Sequence, residues 1–207
     1  MIQKKFREEL RKGFEEATVE NRQPSAKEIA GAQIAYLDAV MEEISRKACA
    51  TPGNSRRALV DTVVLGHHIP KGTDIFIPNL GGDSQEPPIG TIPEHLRSES
   101  SQAAAKAETA VGVWDPKDVR DFKPERWLVE DEGKEIFNSR AGPMMAFSLG
   151  PRSCFGRRLA YLELRMVLVL LMWNFDFQEV PTHLNSYAAV DKLTHQPRQC
   201  YLRLSTV

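Results

Sequence analysis

Cysteine is scarce in this 207-residue chain: Cys49, Cys154 and Cys200 are the full set. They are odd in number, far apart and include no C-x-x-C pair, which argues against a disulfide framework and against a zinc site. The histidines (His67, His68, His95, His183 and His195) form no cluster with Asp or Glu at ligand spacing, so a second kind of metal site is not expected. Adjacent His67 and His68 cannot point the same way from a strand and read as surface residues. Neither sign of charge is in excess. A formal net charge of −1 gives no reason to expect nucleic acid or a membrane surface as partner. Long apolar runs are also missing. Met166 to Trp173 is the longest, far short of the roughly 20 residues that cross a bilayer, and reads as part of a core helix. Met1-Ile2-Gln3-Lys4-Lys5 leads into a charged helix, so neither a signal peptide nor an N-terminal membrane anchor is expected in this chain. What remains is an apolar fraction of 42%, enough for one good-sized domain with a real core.

The pattern along the chain is mainly helical at first. Ile2, Phe6, Leu10, Phe14 and Ala17 lie on one stripe among charged residues, predicting an amphipathic helix over 2–20 that stops at Pro24. Ser25 and Glu28 form a capping-box signature ahead of a short helix, Ala26 to Ala32. A longer helix is predicted from Gln33 to Ala48, with Leu37, Val40, Met41, Ile44 and Ala48 on its buried face, ended by Pro52-Gly53-Asn54. Two β-rich runs, Ala58 to Leu65 and Thr73 to Ile77, read as a hairpin. Residues 81–110, poor in large apolar groups, are expected to form a mobile insertion loop, with Gln102 to Ala110 as its helical candidate. Arg157 to Trp173 reads as one buried helix. The tail from Phe175 reads as short strands and turns.

Chemistry concentrates in Phe147-Ser148-Leu149-Gly150-Pro151-Arg152-Ser153-Cys154-Phe155-Gly156-Arg157-Arg158-Leu159-Ala160. Cys154 precedes a helix whose unpaired N–H groups and partial positive charge favour a thiolate. Gly150 and Gly156 permit a tight turn or close approach of a flat ligand. Arg152 offers a planar cationic fork to a carboxylate. A soft sulfur, room for a planar group and a carboxylate clamp point to heme held by cysteine. The ordinary reading of such a residue is a small buried hydrophobe before a helix. A cysteine nucleophile with Arg157 or Arg158 holding an anion is the other alternative; a phosphate-cradling loop would want arginine where Ala160 stands, and no histidine lies nearby in sequence.

The segment resembles the heme-binding loop of the cytochrome P-450 (heme-thiolate monooxygenase) family, F-x-x-G-x-R-x-C-x-G-x-x-x-A, in its eukaryotic, fungal-like form. Phe147, Gly150, Arg152, Cys154, Gly156 and Ala160 fill every fixed position. Two further matches accompany it. Glu43-Ile44-Ser45-Arg46 fits the family's E-x-x-R, and Phe122-Lys123-Pro124-Glu125-Arg126-Trp127 its P-E-R-F-like segment, with Trp127 where Phe is usual. Taken alone, Glu43 and Arg46 are a solvated i,i+3 pair opposite the apolar stripe, with Lys47 competing for Glu43. The resemblance instead implies a buried structural network of Glu43, Arg46 and Arg126 behind the loop.

It further implies an α+β, mainly α fold: the C-terminal part of the family fold, residues 1–207 forming a partial, truncated domain with a small β hairpin, the cysteine loop and a long buried helix. The expected cofactor is heme b (iron protoporphyrin IX), ligated by Cys154, with Arg152 and then Arg56 on its propionates. Arg57 and a merely solvated basic pair stay open as alternatives to Arg56. The expected activity is iron-dependent monooxygenation of a small lipophilic substrate with electrons from an NADPH-dependent reductase. Family members of this type are usually anchored to the endoplasmic reticulum membrane. Segments Thr51 to Ser55 and Thr194 to Gln199 are candidates for pocket lining. The family's oxygen-activating helix lies upstream of E-x-x-R and is expected to be absent here, and Ala107-Glu108-Thr109 reads as a decoy for its acid–alcohol pair. A heme-binding or inactive fragment without turnover is therefore the alternative to a working monooxygenase. An exposed apolar face is expected from Leu164 to Trp173 and from the Leu37/Ile44 stripe.

Overall fold

The structure is a computed structural model, and it describes residues 2–79, 85–87, 90, 92–107 and 110–207. The Glu108-Thr109 decoy lies outside the described residues. The amphipathic stripe of the N-terminal segment is buried, but on two helices: α1 (Ile2–Gly13) and α2 (Glu15–Val19). Phe6, Leu10, Phe14 and Ala17 all face the core. The capping box of α3 (Ala26–Gly31) is formed, with Ser25 accepting from the Glu28 amide at 3.3 Å and Glu28 accepting from the Ser25 amide at 2.6 Å. Helix α4 (Ala35–Ala48) begins two residues later than its pattern indicates. Ile44 is half-buried and Ala48 exposed, so the apolar stripe is shorter than expected.

What the stripe misses is that α4 is buried on a second side. One face packs with α1 and with α6 (Arg157–Asn174) through Leu37, Val40 and Met41, against Phe6, Leu10, Val169, Met172 and Trp173. The other lies under a 3-10 turn, Pro124–Trp127. Glu43 and Arg46 are consequently buried on that side, Glu42 is buried toward Tyr161 of α6, and α4 is the central beam of the domain. A Leu→Ala change at a fully buried site such as Leu37 costs about 2–5 kcal/mol.

The expected single hairpin is two nested ones. β1 (Gly53–Arg57) pairs antiparallel with β4 (Asp74–Pro78), Arg57 opposite Asp74. Between them β2 (Thr62–Val64) pairs with β3 (His67–Ile69) across Leu65-Gly66, both at positive φ. That is the geometry of a two-residue hairpin turn. Ala58 ends the outer pair by binding Thr73 O (2.9 Å) and accepting from Gly72 (2.8 Å). His67 and His68 are both exposed. Within 81–110 the helix is α5 (Glu99–Lys106), three residues earlier than the Gln102 start, because Ser98 caps it by accepting from the Ser101 amide at 3.2 Å.

The hairpin β5 (Leu128–Asp131) with β6 (Lys134–Phe137) closes a second core around Ala39, Trp114, Val119 and Trp127. Trp114 and Trp127 meet edge-on at 4.8 Å. The tail forms β7 (Phe175–Gln178) with β10 (Arg203–Thr206), and β8 (Ala189–Asp191) with β9 (His195–Pro197). The His195 amide donates to Ala50 O at 2.7 Å, which ties the candidate pocket segment Thr194 to Gln199 to the residue just ahead of the other one. Helix α6 departs most from expectation. Only Val169, Met172 and Trp173 of its 18 residues are buried, whereas Leu159, Leu162, Val167 and Leu170 are exposed. The exposed apolar face is therefore on α6, and Leu37 takes no part in it, being fully buried. No helix among the described residues is long and apolar enough to cross a membrane.

Candidate functional site

The cysteine loop is built on two backbone features. Ser148 and Gly150 both have positive φ, 56° and 72°, so the chain reverses sharply ahead of the 3-10 turn Gly150–Arg152. This left-handed conformation is one that glycine adopts freely and other residues adopt at a cost. The reversal lets the Cys154 amide donate to Phe147 O at 2.8 Å, closing the loop at its base, three residues before α6 starts. Phe147 is half-buried, its ring 5.2 Å from that of Tyr161 and under the Arg157 guanidinium at 5.9 Å.

Every residue from 149 to 159 is exposed, Cys154 and Arg152 included. Cys154 is a free thiol, and among the described residues no side chain hydrogen-bonds its sulfur. Gly156 has an ordinary φ of −79°, so the turn does not demand glycine there. A Cβ at 156 would find one atom within 4 Å, the Cys154 sulfur at 3.9 Å. It would project into the open space beside that sulfur. An unshielded soft donor with a cleared flank suits a flat group ligated through sulfur, and Arg152, with no ion pair among the described residues, suits a carboxylate on its rim. The residues present therefore fit heme.

Of the two strand-entry arginines, Arg57 is engaged by Asp74 in a bidentate pair at 2.7 and 2.8 Å. Arg56 is exposed and, among the described residues, its side chain donates only to Ser55 O at 2.9 Å, which makes it the more available guanidinium of the pair. The structure brings neither into contact with Arg152.

Glu43, Arg46 and Arg126, by contrast, meet in the interior. Arg46 grips Glu43 with both prongs, at 2.8 and 2.7 Å, and donates onward to the carbonyls of Val119 (2.9 Å) and Asp121 (3.0 Å). Arg126 reaches the same carboxylate at 3.2 Å and also binds Asp118 Oδ1 (2.8 Å) and Asp118 O (2.7 Å). The Lys123 amide at 2.8 Å and the Trp127 indole N–H at 3.0 Å complete five donors on one carboxylate. Burial alone would raise the Glu43 carboxyl, but these donors hold it below the ordinary carboxylate range. The i,i+3 spacing sets only the first pair. Lys47, the supposed competitor, instead binds Arg120 O at 2.8 Å. Trp127, Lys123 and Asp118 were not identified from the sequence. Trp127 carried a signal, a nitrogen-bearing ring at a position where Phe is usual; a backbone amide such as that of Lys123 carries none.

A cysteine loop opening a long helix, over a domain braced by a buried Glu–Arg–Arg network, defines the proximal part of a heme-thiolate protein. Residues 1–83 and 113–200 match the family model described as Cytochrome P450, and the chain belongs to the cytochrome P450 family, whose members bind heme b. It is 42% identical to the Fusarium sporotrichioides protein named Cytochrome P450 monooxygenase TRI13, an alignment covering 100% of this chain and 37% of that protein. Identity is 41% to the Dothistroma septosporum Hps1-dma1 cluster cytochrome P450 monooxygenase cyp3.1, over 90% of this chain and 62% of that one. A crystal structure of a cytochrome P450 (CYP102L1) shares the fold with a TM-score of 0.65 at 23% identity, covering 100% of this chain and 38% of its own. The chain thus spans between about a third and two thirds of the length of these relatives.

Proposed function

We propose that this chain supplies the proximal half of a heme-thiolate monooxygenase. Cys154 Sγ would ligate the iron of heme b, and Arg152 and Arg56 would hold its propionates. The observation that carries the reading is the Cys154 loop, closed on Phe147 O, with an unshielded sulfur and a cleared flank at Gly156. Heme b held by a thiolate supplies reductive activation of dioxygen, so that one oxygen atom enters an organic substrate. The protein's own groups do the rest. Gly150 turns the chain so that the sulfur faces outward, and Phe147 packs the loop base. Glu43, Arg46 and Arg126 hold α4 and the Pro124–Trp127 turn as a rigid floor. Residues 1–207 act as a partial domain, with 81–110 an insertion in it. The fitting partners are an NADPH-dependent reductase and a small lipophilic substrate, in line with relatives named monooxygenases.

Oxygen insertion also needs a dry distal pocket and ordered proton delivery. The described residues provide an exposed sulfur and no wall above it. The chain by itself therefore captures heme without turnover. The test is to load the purified chain with heme, reduce it and add carbon monoxide. A strongly red-shifted Soret band that disappears in Cys154→Ala supports thiolate ligation, and an unshifted band in the unaltered chain rejects it. Product formed with reductase, NADPH and lipophilic substrates, and dependent on Cys154, would show instead that the short form is an enzyme in its own right.

A further inference from the structure

Glu42 is the residue beside the E-x-x-R glutamate, and nothing in the network around Glu43 uses it. It is 94% removed from solvent, with a relative exposure of 6%. Its Oε1 accepts from the Tyr161 hydroxyl at 2.6 Å, and its Oε2 is buried without a hydrogen-bond partner among the described residues. A carboxyl placed like this is costly, and burial raises it above the ordinary carboxylate range. The charged groups facing it are Arg157 from α6 and Asp38 from its own helix. Its position explains the cost. Tyr161 is half-buried on the first turn by which α6 returns inward after the exposed stretch 149–159. Its ring lies 5.2 Å from Phe147 on one side of the loop base, and Arg157 covers both rings at 5.3 and 5.9 Å. Phe147 in turn supplies the carbonyl that holds the Cys154 amide. From α4 to the cysteine there is thus one continuous path: Glu42, Tyr161, Phe147, Cys154.

We propose that Glu42 is a positioning residue for the Cys154 loop, fixing through the Tyr161 hydroxyl the aromatic clamp on Phe147 that holds the loop base. This deepens the heme-thiolate reading and rests on it for its functional meaning, although the tie itself is a property of the heme-free chain. Hydrogen exchange of the 147–155 segment in the heme-free chain reads the Phe147–Cys154 bond directly. Tyr161→Phe and Glu42→Ala are each expected to speed exchange there about fivefold, the equivalent of one hydrogen bond of about 1 kcal/mol. Glu42→Gln keeps an oxygen for the tyrosine and stays within about twofold of the unaltered chain. The amides of Lys123 and Asn138, bonded to Glu43 and to Trp127 O away from the loop, keep their rates. Tyr161→Phe removes a single oxygen atom and keeps the test open if Glu42→Ala unfolds. In the heme-loaded chain, Tyr161→Phe lowers the red-shifted share of the carbon monoxide spectrum, and Glu42→Gln preserves it. Unchanged exchange in Tyr161→Phe, equal acceleration at Lys123 and Asn138, or Glu42→Gln behaving like Glu42→Ala would each overturn the positioning role. A red shift that survives Cys154→Ala would overturn the thiolate reading alone.

Discussion

Glu43 and Cys154 anchor two regions built to opposite rules. Around Glu43 five donors converge on one fully buried carboxylate, and both arginines send their remaining N–H groups to backbone carbonyls and Asp118. Around Cys154 eleven consecutive residues, 149–159, are exposed, and the fixed geometry comes from one backbone hydrogen bond and an aromatic clamp. The first region is finished by the chain's own groups. In the second, rigidity lies beneath the loop and openness is left at the sulfur. Stability and ligation are therefore assigned to different residues, and substitutions should separate them.

The largest effect is expected at Glu43. Glu43→Ala removes the carboxylate that two buried guanidiniums share, although Arg126 keeps Asp118, and should cost about 3–5 kcal/mol in denaturant unfolding. A loss below about 1 kcal/mol, the value of an exposed pair, would erase the contrast. Trp127→Phe keeps an aromatic ring but removes the indole N–H and part of a fully buried ring, so the roughly 1–3 kcal/mol of one donor lost to Glu43 is expected with a cavity cost added to it.

Acid titration sharpens the comparison within one helix. The Glu43 carboxyl is held below its unfolded value near 4.3, so its contribution is fully present above that pH and is lost as pH falls through the folded value. The Glu42 carboxyl is raised by burial, so the folded state binds the extra proton and stability declines as pH rises from about 4.3 through the folded value. Glu43→Gln should flatten the acid limb and Glu42→Gln the limb above it, each by no more than about 1.4 kcal/mol per pH unit. Equal profiles for the two variants would refute the assignment.

Smaller effects are expected in the loop. Gly150→Ala forces a side chain into a φ of 72° and should cost about 1–2 kcal/mol. Arg152→Ala should move the stability of the heme-free chain by no more than about 0.5 kcal/mol, being exposed and unpaired, yet weaken heme capture measured by titration. A large stability loss at Arg152 would mean that the loop is part of the scaffold after all.

Much of this was legible in the sequence, for unequal reasons. The Phe6/Leu10/Phe14/Ala17 stripe and the Ser25/Glu28 cap are local patterns with one physical solution each. The loop motif singled out Cys154 through its resemblance to the family pattern, and the structure places that sulfur on an exposed loop closed by one backbone bond. Strand limits were misread: the run Ala58 to Leu65 holds only the short strand Thr62–Val64, whose partner His67–Ile69 follows just past Gly66, while the second run pairs instead with Gly53–Arg57. Helix α6 was misread as buried because apolarity states what a face is able to bury, not whether a neighbour covers it. Glu42 was invisible, since its burial depends on Tyr161, 119 residues away.

The exposed sulfur also sets the redox behaviour of the heme-free chain. Cys154 and Cys200 stand open to solvent, whereas Cys49 is buried and burial pushes its thiol up, away from the reactive thiolate. Peroxide or air thus finds two targets and spares the third. Oxidation of Cys154 to a sulfenic acid, or its capture in a disulfide between two chains, removes the very atom that would ligate iron. A preparation kept without reductant would then lose its capacity for heme while its core, resting on Glu43 and Trp127, stayed folded.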